Sequence, residues 1–258
     1  MRVRPRRAGN RLRYYVNSQA SLLTSRHELC HHEPVNTRRI LRSLGVVPAL
    51  AWLLQSTAVT PPPAYAEPCP DVQVLFARGT DEAIGVGETG QAFVDALQHR
   101  LGERSMAVYA VDYPATNDWP TGIQGIRDAT AHIQATAANC PKTKMVLGGF
   151  SQGAAVMGFS TANAIPDGVE GVDIPRPMAP EVADHVAAVV LFGTPNERAM
   201  NFLGQPPLVI GPAYLAKTLQ LCAPEDPVCS EGMNFAAHAP GAYDGIADEG
   251  AAYAANRL

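Results

Sequence analysis

The stretch that most restricts how this chain can fold is "KMVLGGFSQGAAV", Lys144–Val156. A short apolar run of strand character leads into Gly149, Ser151 and Gly153 on alternating positions, and small apolar residues of helical character follow. A strand that turns into a helix across one serine is the nucleophile-elbow pattern Gly-x-Ser-x-Gly. The turn is so sharp that only residues with little or no side chain fit two places before and after the serine, and it lifts the hydroxyl above the end of a sheet. A glycine-rich loop with an incidental serine meets the same pattern, so the rest of the chain has to decide between the two.

Other apolar runs have the same character. "DVQVLFA" (Asp71–Ala77), "MAVYAVDYPA" (Met106–Ala115), "HVAAVVLFGTP" (His185–Pro195) and "KTLQLCAP" (Lys217–Pro224) read as strands. Between them, "GQAFVDALQHRL" (Gly90–Leu101) sets Phe93, Val94, Leu97 and Leu101 on one helical face, and Thr121–Ala138 reads as a second helix. A helix over Gln152–Ile165 follows the serine, and another over Gly241–Leu258 closes the chain. Continuous apolar strands alternating with helices predict an α/β fold with a parallel sheet covered on both faces. No fixed-period repeat interrupts the alternation. In such sheets the reactive groups lie at the carboxyl ends of strands. Ser151, the triplet Arg78-Gly79-Thr80 and the segment Ala223–Cys229 each follow a strand directly, so three loops are expected to converge on one edge.

Charge divides the chain in two. Residues 1–66 carry ten arginines against two glutamates, whereas residues 67–258 carry ten basic and 22 acidic side chains. An acidic body gives no electrostatic reason to hold nucleic acid. In the basic part, Arg38, Arg39 and Arg42 precede the apolar "LGVVPALAWLL" (Leu44–Leu54), a run short for a bilayer span, and "TPPP" then leads to Ala64-Tyr65-Ala66. That order is an n-region, an h-region and an A-x-A cleavage site. It predicts residues 1–66 as a targeting segment, whose start lies unusually far upstream, and 67–258 as the exported domain beginning near Glu67. Export with cleavage near Ala66 leaves no membrane span in the mature protein, which is expected to be a monomer; an uncleaved N-terminal anchor is the alternative. Cys30 is lost with the segment, and Cys69, Cys140, Cys222 and Cys229 remain, an even number that suits two bridges in an oxidising compartment. Three pairings are open. The spacings do not match a zinc site, and no cofactor is called for.

A serine hydroxyl needs a base, usually histidine. His99 and His132 fall inside helical patterns upstream of Ser151, and His185 starts a strand at the wrong end of the sheet. His238 lies downstream, in the loop "AAHAPGAY" before the last helix, which fits the chain order Ser…Asp/Glu…His. The orienting acid then falls between Ser151 and His238, where Asp167, Asp173, Asp184 and Asp226 are the candidates. Asp226 stands out because it follows the fifth strand, inside "CAPEDPVC". The backbone N–H of Gln152, at the start of the helix, is placed to serve as an oxyanion donor.

Taken together, "CPDVQVLFARGT", "GGFSQGA", "CAPEDPVC" and "HAPGAY" make residues 69–258 resemble the cutinase family, in particular the cutinase-like proteins secreted by mycobacteria and related actinobacteria. The resemblance implies a small α/β hydrolase with a central, mostly parallel five-stranded sheet and an open site. It implies Ser151 as nucleophile, Asp226 as acid and His238 as base, with Thr80 joining Gln152 in the oxyanion hole. It also implies Cys69–Cys140 and Cys222–Cys229 bridges. One departure is Asp167–His185, longer and richer in proline than the family pattern, which bears on the shape of one wall of the site. The function implied is a secreted serine carboxylic ester hydrolase acting on short- to medium-chain acyl esters, on a small ester, lipid or polyester substrate. A phospholipase A or thioesterase would use the same triad. A catalytically idle binding or antigenic protein would be expected to have lost at least one member of the set, and none is missing.

Overall fold

A computed structural model describes residues 69–258 apart from Gly168, Glu170, Val172 and Asp173. The targeting segment and cleavage site expected in residues 1–66, Cys30 and the candidate acid Asp173 lie outside the described residues.

Five strands form one fully parallel sheet: β1 (Val72–Ala77), β2 (Met106–Ala110), β3 (Lys144–Phe150), β4 (Val186–Phe192) and β5 (Thr218–Leu221), in the order β2-β1-β3-β4-β5. The register is regular between β1 and β3, with Val72 opposite Lys144 and Ala77 opposite Gly149. Apolar runs without visible alternation are explained by two cores, one on each face of the sheet. Val74, Phe76, Val146, Val190 and Phe192 point to one face, where Phe93 and Leu97 of α1 (Gly87–Leu101) and Ala247 and Ala251 of α6 (Asp244–Ala255) meet them. Leu75, Ala77, Leu147, Val189 and Leu191 point to the other, against Ile133 of α2 (Gly122–Asn139) and Met157 of α3 (Gln152–Ser160). Successive side chains leave a strand on opposite sides, so a strand buried on both faces has to be apolar throughout.

Two short helices, α4 (Glu197–Phe202) and α5 (Pro212–Leu215), join β4 to β5. Several elements stop earlier than their sequence patterns suggest. The helix behind the serine ends at Ser160 rather than Ile165, because the Thr161 hydroxyl turns back to the carbonyls of Met157 and Gly158 and the Thr161 carbonyl accepts from Gly211 N–H at 3.0 Å. Strand β2 ends at Ala110, since just beyond it the Asp112 N–H is taken by the Asp128 carboxylate at 2.9 Å instead of a sheet neighbour.

The proline-rich stretch is tied down at its end. Its carboxyl end is a 3₁₀ helix, Pro180–His185, that feeds the amino end of β4. Lys217 Nζ donates to the carbonyls of Ala183 and Val186, and Lys144 Nζ to that of Asp184, at the starts of β5 and β3. Pro180–His185 therefore lies at the amino edge of the sheet, away from the edge that carries Ser151.

A disulfide joins Cys69, ahead of β1, to Cys140, the cap of α2, across 71 residues of sequence. Closing so long a loop removes chain entropy worth ~4 kcal/mol from the unfolded state. The double variant Cys69→Ser/Cys140→Ser should therefore melt roughly 10 °C below the parent by calorimetry. A melting point within about 2 °C of the parent would show that the bridge contributes little.

Candidate active site

The strand order reverses between β1 and β3, so the connections leaving these neighbours go to opposite faces and open a crevice between them. The loop after β1 carries Thr80, and the turn after β3 carries Ser151.

Ser151 has φ 53° and ψ −118°, a conformation rarely adopted by a residue with a side chain. Its N–H donates to the Phe192 carbonyl at 2.9 Å, which fixes the turn to the end of β4. The flanking glycines are required by contact. A Cβ on Gly149 would lie 2.3 Å from the Gly153 carbonyl oxygen, and one on Gly153 would lie 1.9 Å from the Ala77 carbonyl oxygen.

The Ser151 hydroxyl oxygen lies 2.7 Å from His238 Nε2, and His238 Nδ1 lies 2.6 Å from Asp226 Oδ2. His238 ends a short 3₁₀ helix, Phe235–His238, and its ring stacks on Phe150 at 5.2 Å between centroids. Gly193, at φ 56°, leaves the space for it, since a Cβ there would approach His238 Cε1 to 3.1 Å and the Tyr243 hydroxyl to 2.9 Å.

Asp226 is fully buried. Its Oδ1 accepts the Val228 N–H at 2.8 Å, and its Oδ2 accepts from both His238 Nδ1 and the Tyr243 hydroxyl, the latter at 2.5 Å. Three donors replace the water that a buried carboxylate has given up. Since a carboxylate only accepts, Nδ1 carries the ring proton and Nε2 is left to accept from the serine. Burial, and then the bond to Asp226, hold the Tyr243 phenol well above its ordinary pKa, so it remains a donor.

The loop around Asp226 is fastened from several sides. Cys222 and Cys229 are disulfide-bonded, with Cα atoms 5.8 Å apart. The Asp226 carbonyl accepts the Ser230 N–H at 2.9 Å and the Ser230 hydroxyl at 2.6 Å. Arg198 donates to the carbonyls of Pro227 and Ser230, both at 3.0 Å. The sulfurs of Cys222 and Cys229 and a carboxylate oxygen of Asp226 cluster within 4.8 Å, but both sulfurs are consumed in the bridge and offer no thiolate to a metal.

Gln152 is the first residue of α3, so its N–H has no partner within the helix. Its side-chain Nε2 donates to the Thr116 carbonyl at 3.0 Å, which ties the helix start to the loop after β2. Among the described residues, neither the N–H nor the hydroxyl of Thr80 makes a hydrogen bond within the chain. The backbone around Thr80 is nevertheless held firmly. Glu82 accepts Gly79 N–H at 2.5 Å and Glu88 N–H at 2.7 Å, and Asp81 N–H reaches the Ala115 carbonyl at 2.7 Å. The buried Arg78 guanidinium donates to the carbonyls of Glu82 at 3.0 Å and Tyr113 at 2.6 Å, and the Tyr113 hydroxyl donates back to the Arg78 carbonyl.

The remaining candidates lie elsewhere. His99 is exposed on α1. His132 stacks on Tyr109 at 3.6 Å and bonds Gln73, away from Ser151, and His185 sits at the amino end of β4. Asp184 is at the amino edge, and Asp167 is exposed in the loop beyond α3. The sequence places Tyr243 at the end of "HAPGAY" and Arg78 in the triplet before Thr80 without showing what either side chain binds, and it gives no sign of Glu82. A tyrosine five residues after His238 was the available signal.

A family model described as Cutinase matches residues 68–258. "Probable carboxylesterase Culp5" of Mycobacterium tuberculosis is 62% identical over 172 residues, covering 67% of this chain and 98% of that protein. "Phospholipase Culp4" of the same organism is 39% identical over 221 residues, covering 86% of this chain and 92% of that protein. Among solved structures, Trichoderma reesei cutinase in complex with a C11Y4 phosphonate inhibitor shares the fold with a TM-score of 0.56 at 33% identity, covering 73% of this chain and 77% of that one. With its α/β-hydrolase sheet and a match that spans all of the described residues, this chain belongs to the cutinase family of carboxylic ester hydrolases.

Proposed function

We propose that this protein is a secreted serine esterase that cleaves short- to medium-chain acyl esters through an acyl-enzyme on Ser151. The observation that carries the reading is the unbroken relay from Asp226 through His238 to Ser151, with spacings of 2.6 and 2.7 Å. Both lie within proton-transfer reach. His238 Nε2 takes the Ser151 proton as the hydroxyl oxygen attacks the ester carbonyl, and the buried Asp226 stabilises the imidazolium that forms. The oxyanion receives the Gln152 N–H, aided by the positive end of α3, and the N–H and hydroxyl of Thr80. His238 then protonates the departing alcohol and draws a proton from the water that releases the acid. No step calls for a metal or cofactor.

Phospholipase activity is the second reading, favoured by the similarity to the protein named Phospholipase Culp4. A thioesterase would differ only in its leaving group. Hydrolysis of p-nitrophenyl esters from C2 to C16, measured beside a phospholipid and an acyl thioester, separates the three. The esterase reading expects the highest kcat/KM among the shorter p-nitrophenyl esters.

Replacing Ser151→Ala should lower kcat on the best ester by about 10⁶-fold while leaving the circular dichroism spectrum unchanged. A folded variant that keeps most of its activity would refute the assignment of the nucleophile.

Breaking the shorter bridge should act on rate more than on stability. Cys222 and Cys229 are seven residues apart, so their loop removes less chain entropy than the Cys69–Cys140 loop, yet it carries Asp226. In Cys222→Ser/Cys229→Ser we expect kcat to fall ~100-fold, the loss that about 1 Å of misplacement produces. Near-parent kcat in this variant would mean that the hydrogen bonds alone hold the acid.

Export is proposed from the Arg38–Ala66 pattern, with a mature protein that acts as a monomer outside the cell. N-terminal sequencing of culture-filtrate protein should begin at Glu67. Recovery of the intact chain from membranes alone would instead support an uncleaved anchor.

A further inference from the structure

We propose that Tyr243 is a positioning residue for this relay: its hydroxyl shares Asp226 Oδ2 with His238 and so fixes the orientation of the acid against the base. The inference rests on the assignment of Ser151, His238 and Asp226 made above.

Tyr243 is fully buried at the end of the 3₁₀ turn Pro240–Tyr243, immediately ahead of α6. Its hydroxyl has one proton and two acceptors in reach, the bridged Cys229 Sγ at 3.3 Å and Asp226 Oδ2 at 2.5 Å, while the Ala223 N–H donates to the phenol oxygen at 3.2 Å. The carboxylate oxygen is the nearer and the stronger acceptor, so the O–H donates to Oδ2. The same Oδ2 lies 2.6 Å from His238 Nδ1. Two donors thus compete for one oxygen, while Oδ1 is held by the Val228 N–H. The ring is locked as well, lying edge-on to Phe150 at 5.1 Å and to Phe192 at 6.5 Å. A phenol aimed at the acid from a rigid core prevents the carboxylate from rotating away from the imidazole.

Without the phenol, the carboxylate keeps the Val228 N–H on Oδ1 and His238 Nδ1 on Oδ2 but loses the donor that reaches it from the rigid core. The acid is then free to turn against the imidazole, so the loss falls on the chemical step and leaves the substrate contacts as they are.

The experiment is Tyr243→Phe, which keeps the ring and deletes the hydroxyl, with kcat and KM measured on a p-nitrophenyl ester beside the parent, Ser151→Ala and Phe93→Leu. Phe93 lies in the same core but bonds nothing in the relay, so it reports loss of packing alone. We expect Tyr243→Phe to lose ~10-fold in kcat with KM within about twofold, the scale of one hydrogen bond to a charged group. Phe93→Leu should lower the melting temperature and keep the parent kcat and KM. Parent-like kcat in a folded Tyr243→Phe overturns the proposal, as does a loss carried by KM instead of kcat. Failure of that variant to fold also overturns it, by assigning the hydroxyl to the stability of the fold. Activity retained in Ser151→Ala would instead sink the underlying triad reading, an outcome distinguishable from the others.

Discussion

The first turn of α3 sits so close to the end of β1 that a Cβ on Gly153 would lie 1.9 Å from the Ala77 carbonyl oxygen and 2.5 Å from that of Arg78. That approach sets the Ser151 elbow against the loop bearing Thr80, and it is available only because β1 and β3 are neighbours in the sheet. The remaining parts of the site adjust to it. Gly193 clears the volume for the His238 ring, and Phe192, beside it in sequence, supplies the carbonyl that receives the Ser151 N–H.

Strain collects along the same edge. Asp81 after β1, Ala115 after β2, Ser151 after β3, Gly193 after β4 and Glu225 after β5 all have positive φ. For the four with side chains this costs on the order of 1 kcal/mol or more each, and such residues persist only where their surroundings over-determine them. Here the surroundings are specific: the Arg78 and Glu82 bonds beside Asp81, the bond from Asp81 N–H to Ala115, and the disulfide beside Glu225. Two well-filled cores beneath the edge supply the rigidity.

Much of this is legible in the sequence, and the reasons for the remainder are physical. The alternation of strands and helices is visible because strands buried on both faces must be apolar throughout. Ser151 is legible because the glycines at 149 and 153 answer a steric demand, and His238 because chain order and loop position leave one histidine at the right edge. Element ends are less legible: a side chain reaching back, as Thr161 does, or a distant carboxylate such as Asp128, decides where a helix or strand stops. Tyr243 escaped notice because a buried tyrosine next to a helix reads as core until its hydroxyl is seen to meet Asp226. The role of Arg78 is hidden for a similar reason, since the groups that accept its hydrogen bonds are carbonyls, which leave no mark in a sequence.

The order of these groups along the chain has a consequence for synthesis. All five strands and Ser151 precede Asp226, His238 and Tyr243, which follow β5 and lead into α6. A chain emerging amino end first from a ribosome or an export channel can assemble the sheet and its elbow before the base is present. On the proposed reading, the serine gains its reactivity only when the final helix docks onto α1. Translation order thus acts as a safety catch, keeping an ester-cleaving site silent until the domain is complete.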